Sequence, residues 1–271
     1  MPRDLDPEKS APVALTESPG KVPSSPDPSK PKDKDSSPQP QKEFIIIPHD
    51  QQYSDPTNLH PYTRPLTISD LDSVVALENA SFEDPSERAT REKFIYRLNK
   101  CNELCLGIFC TVVPDSGITA ETIPTGHPVE TSRPNGAICV LIGHVVAAKT
   151  NDLSATDKSM DFPKDWDSEH PSKSDLGHQE AGRTIVLHSV AVLPQFQGRG
   201  LGRVLLQAYI QQMNGAGIAD RLVLIAHDHK VGWYERFGFQ NRGRSKAQFG
   251  GGEWYDMVYE LKSLEPRATY G

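Results

Sequence analysis

The chain has 271 residues, of which 36% are hydrophobic, with 23 Pro and 20 Gly, so part of it is expected to stay outside any folded core. Its 29 basic and 36 acidic side chains give a formal charge of -7, which argues against a nucleic-acid binder that neutralises phosphates with a basic face. No run approaches the roughly 20 apolar residues of a membrane span, and the opening MPRDLDPEKS lacks the apolar stretch of a secretory signal. The expectation is a cytoplasmic protein without a nucleic-acid or membrane partner.

In chain order, residues 1–43 are Pro, Ser, Lys and Asp with almost no aromatic or β-branched content, a composition that cannot offset the entropy of ordering, and they read as a disordered tail. The tail is the candidate docking segment for a protein partner of unknown identity. Residues 44–60 read as a linker carrying a short apolar clasp, Phe44-Ile45-Ile46-Ile47-Pro48. Residues 61–265 then alternate strand and helix patterns as one α/β domain, followed by a C-terminal tail, 266–271. Strands are expected near 105–113, 137–149, 184–193, 221–226 and 254–261, and helices near 70–77, 90–99, 200–214 and 231–237.

Two polar stretches, 114–136 and 151–183, read as loop insertions, because strand patterns resume on either side. Residues 151–180 hold eight acidic and three basic side chains, so most of the net charge sits there. The cysteines at 101, 105, 110 and 139 include no C-x-x-C pair and lie in or beside apolar segments, as expected of reduced packing residues.

The most informative stretch is TIVLHSVAVLPQFQGRGLGRVLLQAYIQQM, residues 184–213, where a β-branched strand passes through a glycine turn into an amphipathic helix. Leu201, Val204, Leu205, Ala208, Tyr209 and Met213 are expected on one helical face. Strand, glycines and helix N-terminus make an anion site, with outward N–H groups, a favourable dipole and room for a close approach, and a pyrophosphate is the expected occupant. A Walker loop is excluded, since Gly198-Arg199-Gly200-Leu201-Gly202-Arg203 lacks the Lys and Ser or Thr that motif needs. A dinucleotide fingerprint would need glycine at Arg203, and Asp220 precedes the next strand instead of ending it.

Gln195-x-x-Gly198-x-Gly200 between strand and helix resembles the acetyl-CoA loop of the GNAT superfamily of N-acetyltransferases, and HDHKVGWYERFGF, 227–239, resembles that family's second half-site. LHSVAV, IAHD, WYERFGF and CNELCLGIF are similar to the serotonin (arylalkylamine) N-acetyltransferase group and its fungal polyamine-acetylating relatives, over roughly residues 61–262 without the insertions. The resemblance implies a GNAT fold: a mixed central sheet, splayed between the family's fourth and fifth strands and flanked by helices. It implies acetyl-CoA as cosubstrate, with Gln197, Gly198, Arg199, Gly200, Leu201 and Gly202 around the pyrophosphate. The backbone of Val190, Ala191 and Val192 would lie along the pantetheine arm.

Acetyl transfer to an amine needs a neutral amine, yet an alkylamine of pKa about 10.4 is neutral in about one molecule per few thousand at pH 7. His188 is the candidate base. Unbroken strand alternation would put Val186, His188, Val190 and Val192 on one face, provided that no bulge intervenes. The serotonin enzymes carry His-x-His there, and Val186 replaces the first histidine, so a two-histidine relay is not expected. Tyr234 aligns with the family's tyrosine near the CoA sulfur and is the candidate acid.

For the acceptor, the resemblance places Trp254 in the pocket, with Phe82, Pro85, Leu104 and Val186 as further walls and His227 at the mouth. His227 and His229 form an i, i+2 pair without further ligands at a metal-site spacing, so no metal is expected. Aromatic walls suit an aryl ring or an alkylammonium, and Glu78, Glu83, Asp84 and Glu87 would attract a polycation. The expected substrate is a small primary amine, arylalkylamine or polyamine. A non-catalytic CoA-binding interaction module and a protein or peptide N-acetyltransferase stand as alternatives.

Overall fold

The structure is a computed structural model and describes residues 60–112, 126–128 and 137–262. The expected disordered tail, the Phe44–Pro48 clasp, most of the first insertion and residues 266–271 lie outside the described residues.

The first strand, β1 (Tyr62–Pro65), leads to a helix, α1 (Leu71–Ser81). Thr67 and Asp70 cap one another ahead of it, and Arg64 holds Asp70 through two hydrogen bonds of 2.8 and 2.7 Å. The helix runs four residues past the expected end at Leu77 because Glu78 faces inward and is buried. Helix α2 (Arg91–Lys100) starts where Thr90 Oγ1 accepts from the Lys93 N–H and ends with Arg97 and Lys100 in the last turn, where cations suit the helix dipole. Strands β2 (Leu106–Val112), β3 (Gly126–Pro128) and β4 (Ile138–Thr150) follow, then a short helix, α3 (Asp157–Met160), inside the second insertion. Strand β5 (Thr184–Val192) passes through the glycine turn into α4 (Leu201–Ala216), then come β6 (Arg221–Ala226), α5 (Asp228–Glu235), β7 (Gln240–Arg244) and β8 (Tyr255–Glu260).

The sheet order is β1-β2-β4-β5-β6-β8-β7, with β3 paired to β4. The β5–β6 pair is parallel, and the other pairs are antiparallel, so the sheet is mixed as expected. Parallel pairing covers Thr184↔Arg221, Ile185↔Leu222 and Val186↔Val223 and then stops, although both strands continue. From Leu187 onward the two strands part, which is the splay that the family resemblance implied.

The main core joins the helices to the sheet through residues such as Leu77, Phe94, Phe109, Leu141, Ile185, Leu205, Tyr209 and Leu222. Helix α4 buries Leu201, Leu205, Leu206, Tyr209, Ile210 and Met213. Val204, expected on that face, is 48% exposed: at 3.6 residues per turn it lies roughly opposite the centre of the buried arc. Gly217 ends the helix in the left-handed conformation, φ 64°, and its N–H returns to the Met213 carbonyl. All four cysteines are free and buried, and burial pushes the Cys105 and Cys110 thiols up to about 12.

The second insertion is more than a polar loop. Ala155 and Met160 pack with Val186, Val223 and Val258 in a second small core. Phe162 and Trp166 pack on Tyr96 of α2 at ring distances of 5.3 and 5.6 Å, and the Tyr96 hydroxyl accepts from the His178 N–H. The buried guanidinium of Arg97 donates from Nη2 to the Met160 carbonyl at 3.1 Å.

Candidate active site

A cavity opens where β5 and β6 part. Its walls come from β5 (Leu187, His188, Ser189, Val190), β6 (Leu224, Ile225), α5 (Tyr234), the α1–α2 connection (Phe82, Glu87), the second insertion (Met160) and the approach to β8 (Phe249, Trp254). Of the residues expected at the site, His188, Tyr234, Val190, Phe82 and Trp254 meet here.

The strand does not alternate evenly through His188. Ser189 pairs with Val146 and Leu187 with the adjacent Ala147, which leaves His188 as the extra residue of a β-bulge. The condition attached to one shared face therefore fails. Val186 is buried in the small second core and is not a cavity wall. Bulges re-aim side chains, and this one turns His188 toward the insertion.

His188 Nδ1 lies 3.2 Å from the thioether of Met160. A thioether only accepts, so the proton sits on Nδ1 and the lone pair on Nε2. Nε2 is buried without a hydrogen-bond partner among the described residues. Burial pushes the imidazole well below its ordinary range, and the cations Arg97 and Lys93 push it the same way. His188 is therefore a neutral imidazole with its basic nitrogen unengaged. Across the cavity, Tyr234 stands with its ring against Trp233 and Phe239 at 4.8 and 5.5 Å. Burial raises its phenol pKa well above the ordinary value, so the hydroxyl keeps its proton through neutral pH.

At the end of β5 the Val192 carbonyl accepts from Gln197 Nε2 at 2.8 Å and Ser81 Oγ at 3.3 Å, fixing the start of the turn. Gly198 and Gly200 have φ of 74° and 79°, and a Cβ on either would meet nothing within 4 Å. The turn is therefore open on its outer side and leads into the N-terminus of the 16-residue α4. Arg199 lies over the Phe196 ring, and Leu201 is buried beneath the turn. The edge of β5 that faces β6 has no paired strand beyond Val186 among the described residues, while at its end the Val192 carbonyl is already taken by the Gln197 and Ser81 side chains.

On the acceptor side, His227 Nε2 and Glu87 Oε1 are 2.9 Å apart, and the His227 ring lies 3.9 Å from that of Trp254. Trp254 Nε1 donates to the Phe249 carbonyl at 2.6 Å. Three expected walls are absent: Val186, as noted, belongs to the small second core, Leu104 is buried in the main core, where its carbonyl accepts from Tyr209, and Pro85 does not reach the cavity. Glu78 belongs to the interior and not to a solvated acidic face. Sequence reasoning missed Met160, Ser189, Phe249 and the branched residues Leu224 and Ile225. Ser189 had a signal in its place beside His188; Met160 and Phe249 lie in polar or glycine-rich surroundings that carry none.

Residues 172–261 match the family model described as the acetyltransferase (GNAT) domain. Over 98 residues the chain is 34% identical to the serotonin N-acetyltransferase of Mesocricetus auratus, a match that covers 36% of this chain and 47% of that protein. It is 33% identical over 91 residues to the L-methionine sulfoximine/L-methionine sulfone acetyltransferase of Pseudomonas paraeruginosa, covering 32% of this chain and 52% of that protein. The chain thus spans about half the length of the curated relatives it matches. In fold it is similar to the loading GNATL domain of CurA from Lyngbya majuscula, with a TM-score of 0.50 at 13% identity over 74% of this chain and 98% of that one. The family match takes in β5, the glycine turn, α4, β6, α5 and β8, and so includes the parted strands, His188 and Tyr234, while the cavity walls Phe82, Glu87 and Met160 lie outside it; over that stretch the chain is similar to the acetyltransferase (GNAT) domain.

Proposed function

We propose that this domain transfers an acetyl group from acetyl-CoA to the primary amine of a small molecule, by direct attack within a ternary complex. The observation that carries the reading is one cavity walled by a neutral histidine with an unengaged Nε2 and by a tyrosine that keeps its proton.

The residues present fit acetyl-CoA. The open glycine turn and the N-terminus of α4 offer N–H groups to a pyrophosphate, so Gln197, Gly198, Arg199, Gly200, Leu201 and Gly202 would hold it. The unpaired edge at Val190, Ala191 and Val192 would take the pantetheine arm as an added strand. When bound, acetyl-CoA supplies a thioester carbonyl as the acyl donor.

The chain's residues handle the protons. His188 accepts one at Nε2 from the attacking amine, directly or through one water, and Tyr234 Oη gives one to the departing thiolate. The amine gains the C–N bond as the C–S bond breaks, so one proton is taken up and one released. A phenol is a weaker acid than a thiol, so the transfer relies on proximity and on the dry surroundings of the site.

The acceptor we favour is a small amine, arylalkylamine or polyamine. Trp254, Phe82 and Phe249 would stack on a ring or on an alkylammonium, and the Glu87 carboxylate among them suits a substrate with a second cationic group. The test is CoA-thiol release from acetyl-CoA with tryptamine, phenethylamine, spermidine or a peptide. Turnover on small amines that falls in Tyr234→Phe, with little change in KM for acetyl-CoA, is the expected result. Acetyl-CoA binding without release on any acceptor overturns the reading and leaves a CoA-binding module.

A further inference from the structure

Behind the cavity, three polar side chains from three elements are buried together: Glu78 on α1 at 1% exposure, His144 on β4 at 0% and Ser189 on β5 at 3%. The Ser189 hydroxyl donates to Glu78 Oε2 at 2.6 Å, a length typical of O–H bonded to an ionised carboxylate. With its single proton committed there, Ser189 Oγ accepts from His144 Nε2 at 2.9 Å, and that same N–H reaches Glu78 Oε2 at 3.1 Å. The other Glu78 oxygen accepts from the Ala89 N–H at 2.9 Å. His144 Nδ1, the remaining nitrogen, is buried without a partner among the described residues.

Packing alone does not call for such a cluster at this point, where apolar side chains fill the surroundings. Ser189 is at once a member of the cluster and a wall of the cavity, next to His188 in the chain. His188 itself sits against Met160 and beside cations that disfavour its protonation, which makes it a weak acceptor.

Resting on the acetyl transfer proposed above, we propose that Ser189 relays to Glu78 the proton an incoming alkylammonium must shed before it can attack, leaving the proton released on C–N bond formation to His188, with His144 as the positioning residue that orients the hydroxyl. The new O–H bond forms on Ser189 Oγ as its own proton moves to Glu78 Oε2, so the alkylammonium loses one proton, the carboxylate gains one and no electrons change hands. The titratable and charged groups that face this pair are His144 on β4, Arg97 on α2 and His188 on β5.

The experiment compares Ser189→Ala, Ser189→Thr and Glu78→Gln in the full chain, with acetyl-CoA and whichever small amine the parent acetylates. The readouts are kcat/KM from pH 6 to 10 and the thermal melting point. The relay requires Ser189→Ala to lose about 100-fold in kcat/KM at pH 7, in the range of general-base contributions, and to recover toward pH 10, where the amine is already neutral. Ser189→Thr retains the hydroxyl and keeps the rate. A loss in Ser189→Ala that is even across pH, or a parental rate with that variant, overturns the relay even if Glu78→Gln fails to fold. No turnover in the parent on any amine overturns the acetyl-transfer reading first, and the relay with it.

Discussion

The thioether of Met160 and Nδ1 of His188 meet at 3.2 Å, so a residue of the second insertion decides which nitrogen of the candidate base carries its proton. Met160→Leu keeps the volume and removes the acceptor. Its cost in stability is expected to stay below about 1.5 kcal/mol, as for other volume-conserving swaps. The ¹⁵N shifts of His188 are expected to move from a single Nδ1–H tautomer to a mixture, with kcat falling several-fold. An unchanged tautomer in the variant would refute the assignment.

Stability should depend on pH through the same imidazole. In the folded chain its pKa lies well below the 6.5 of an ordinary histidine, chiefly through burial and then through Arg97 and Lys93. Below pH 6.5 the unfolded chain therefore binds a proton that the folded chain refuses. Stability is lost as the pH falls from about 6.5 toward the folded value, with a limiting slope of about 1.4 kcal/mol per pH unit, and is level above it as far as this group is concerned. Urea unfolding between pH 5 and 7.5 checks this, and His188→Gln is expected to flatten the profile.

Gly198 and Gly200 should respond alike to alanine, and Gly202 differently. The first two hold φ of 74° and 79° in open space, so an alanine meets no atom but pays the left-handed backbone penalty of about 1–2 kcal/mol. Each is expected to raise the KM for acetyl-CoA with little change in kcat. Gly202 lies inside α4, and a Cβ there meets Trp233 and Val192 at ordinary contact distances of 3.6 and 3.7 Å. Gly202→Ala should leave the fold at parental stability or slightly above it. Equal losses at all three positions would count against the turn geometry as the cause.

Glu87 should separate the two amine classes. It is the carboxylate among the cavity walls, with His227 at 2.9 Å and the Trp254 ring tilted against that imidazole. Glu87→Gln is expected to lower kcat/KM for spermidine about tenfold, equivalent to about 1.4 kcal/mol, and for phenethylamine far less. Equal effects on both amines would assign Glu87 to holding His227 and not to the acceptor.

What the sequence revealed and what it hid follow from how far apart the partners lie. The strand–turn–helix unit around Gly198 and Gly200 was legible because its periodicity and its glycines are local, and β6, with its unbroken apolar run, was placed to the residue. The edge strands β1 and β7 escaped because YTRP and QNRGR carry no apolar alternation, an outermost strand having less to bury. Val204 was misassigned because one apolar residue does not fix the centre of a helical stripe. The bulge at His188 depends on register with β4, and the Glu78–His144–Ser189 cluster joins residues 45 to 111 positions apart, so neither leaves a local pattern.

The contacts of the second insertion bear on any attempt to trim this chain to a smaller enzyme. A deletion that rejoins β4 to β5 would strip Met160 from His188, expose Val186, Val223 and Val258, and leave Arg97 as a buried cation without the carbonyl it now reaches. Such a truncation discards part of the core along with the loop, and a minimal form of this protein would need those partners rebuilt by other residues.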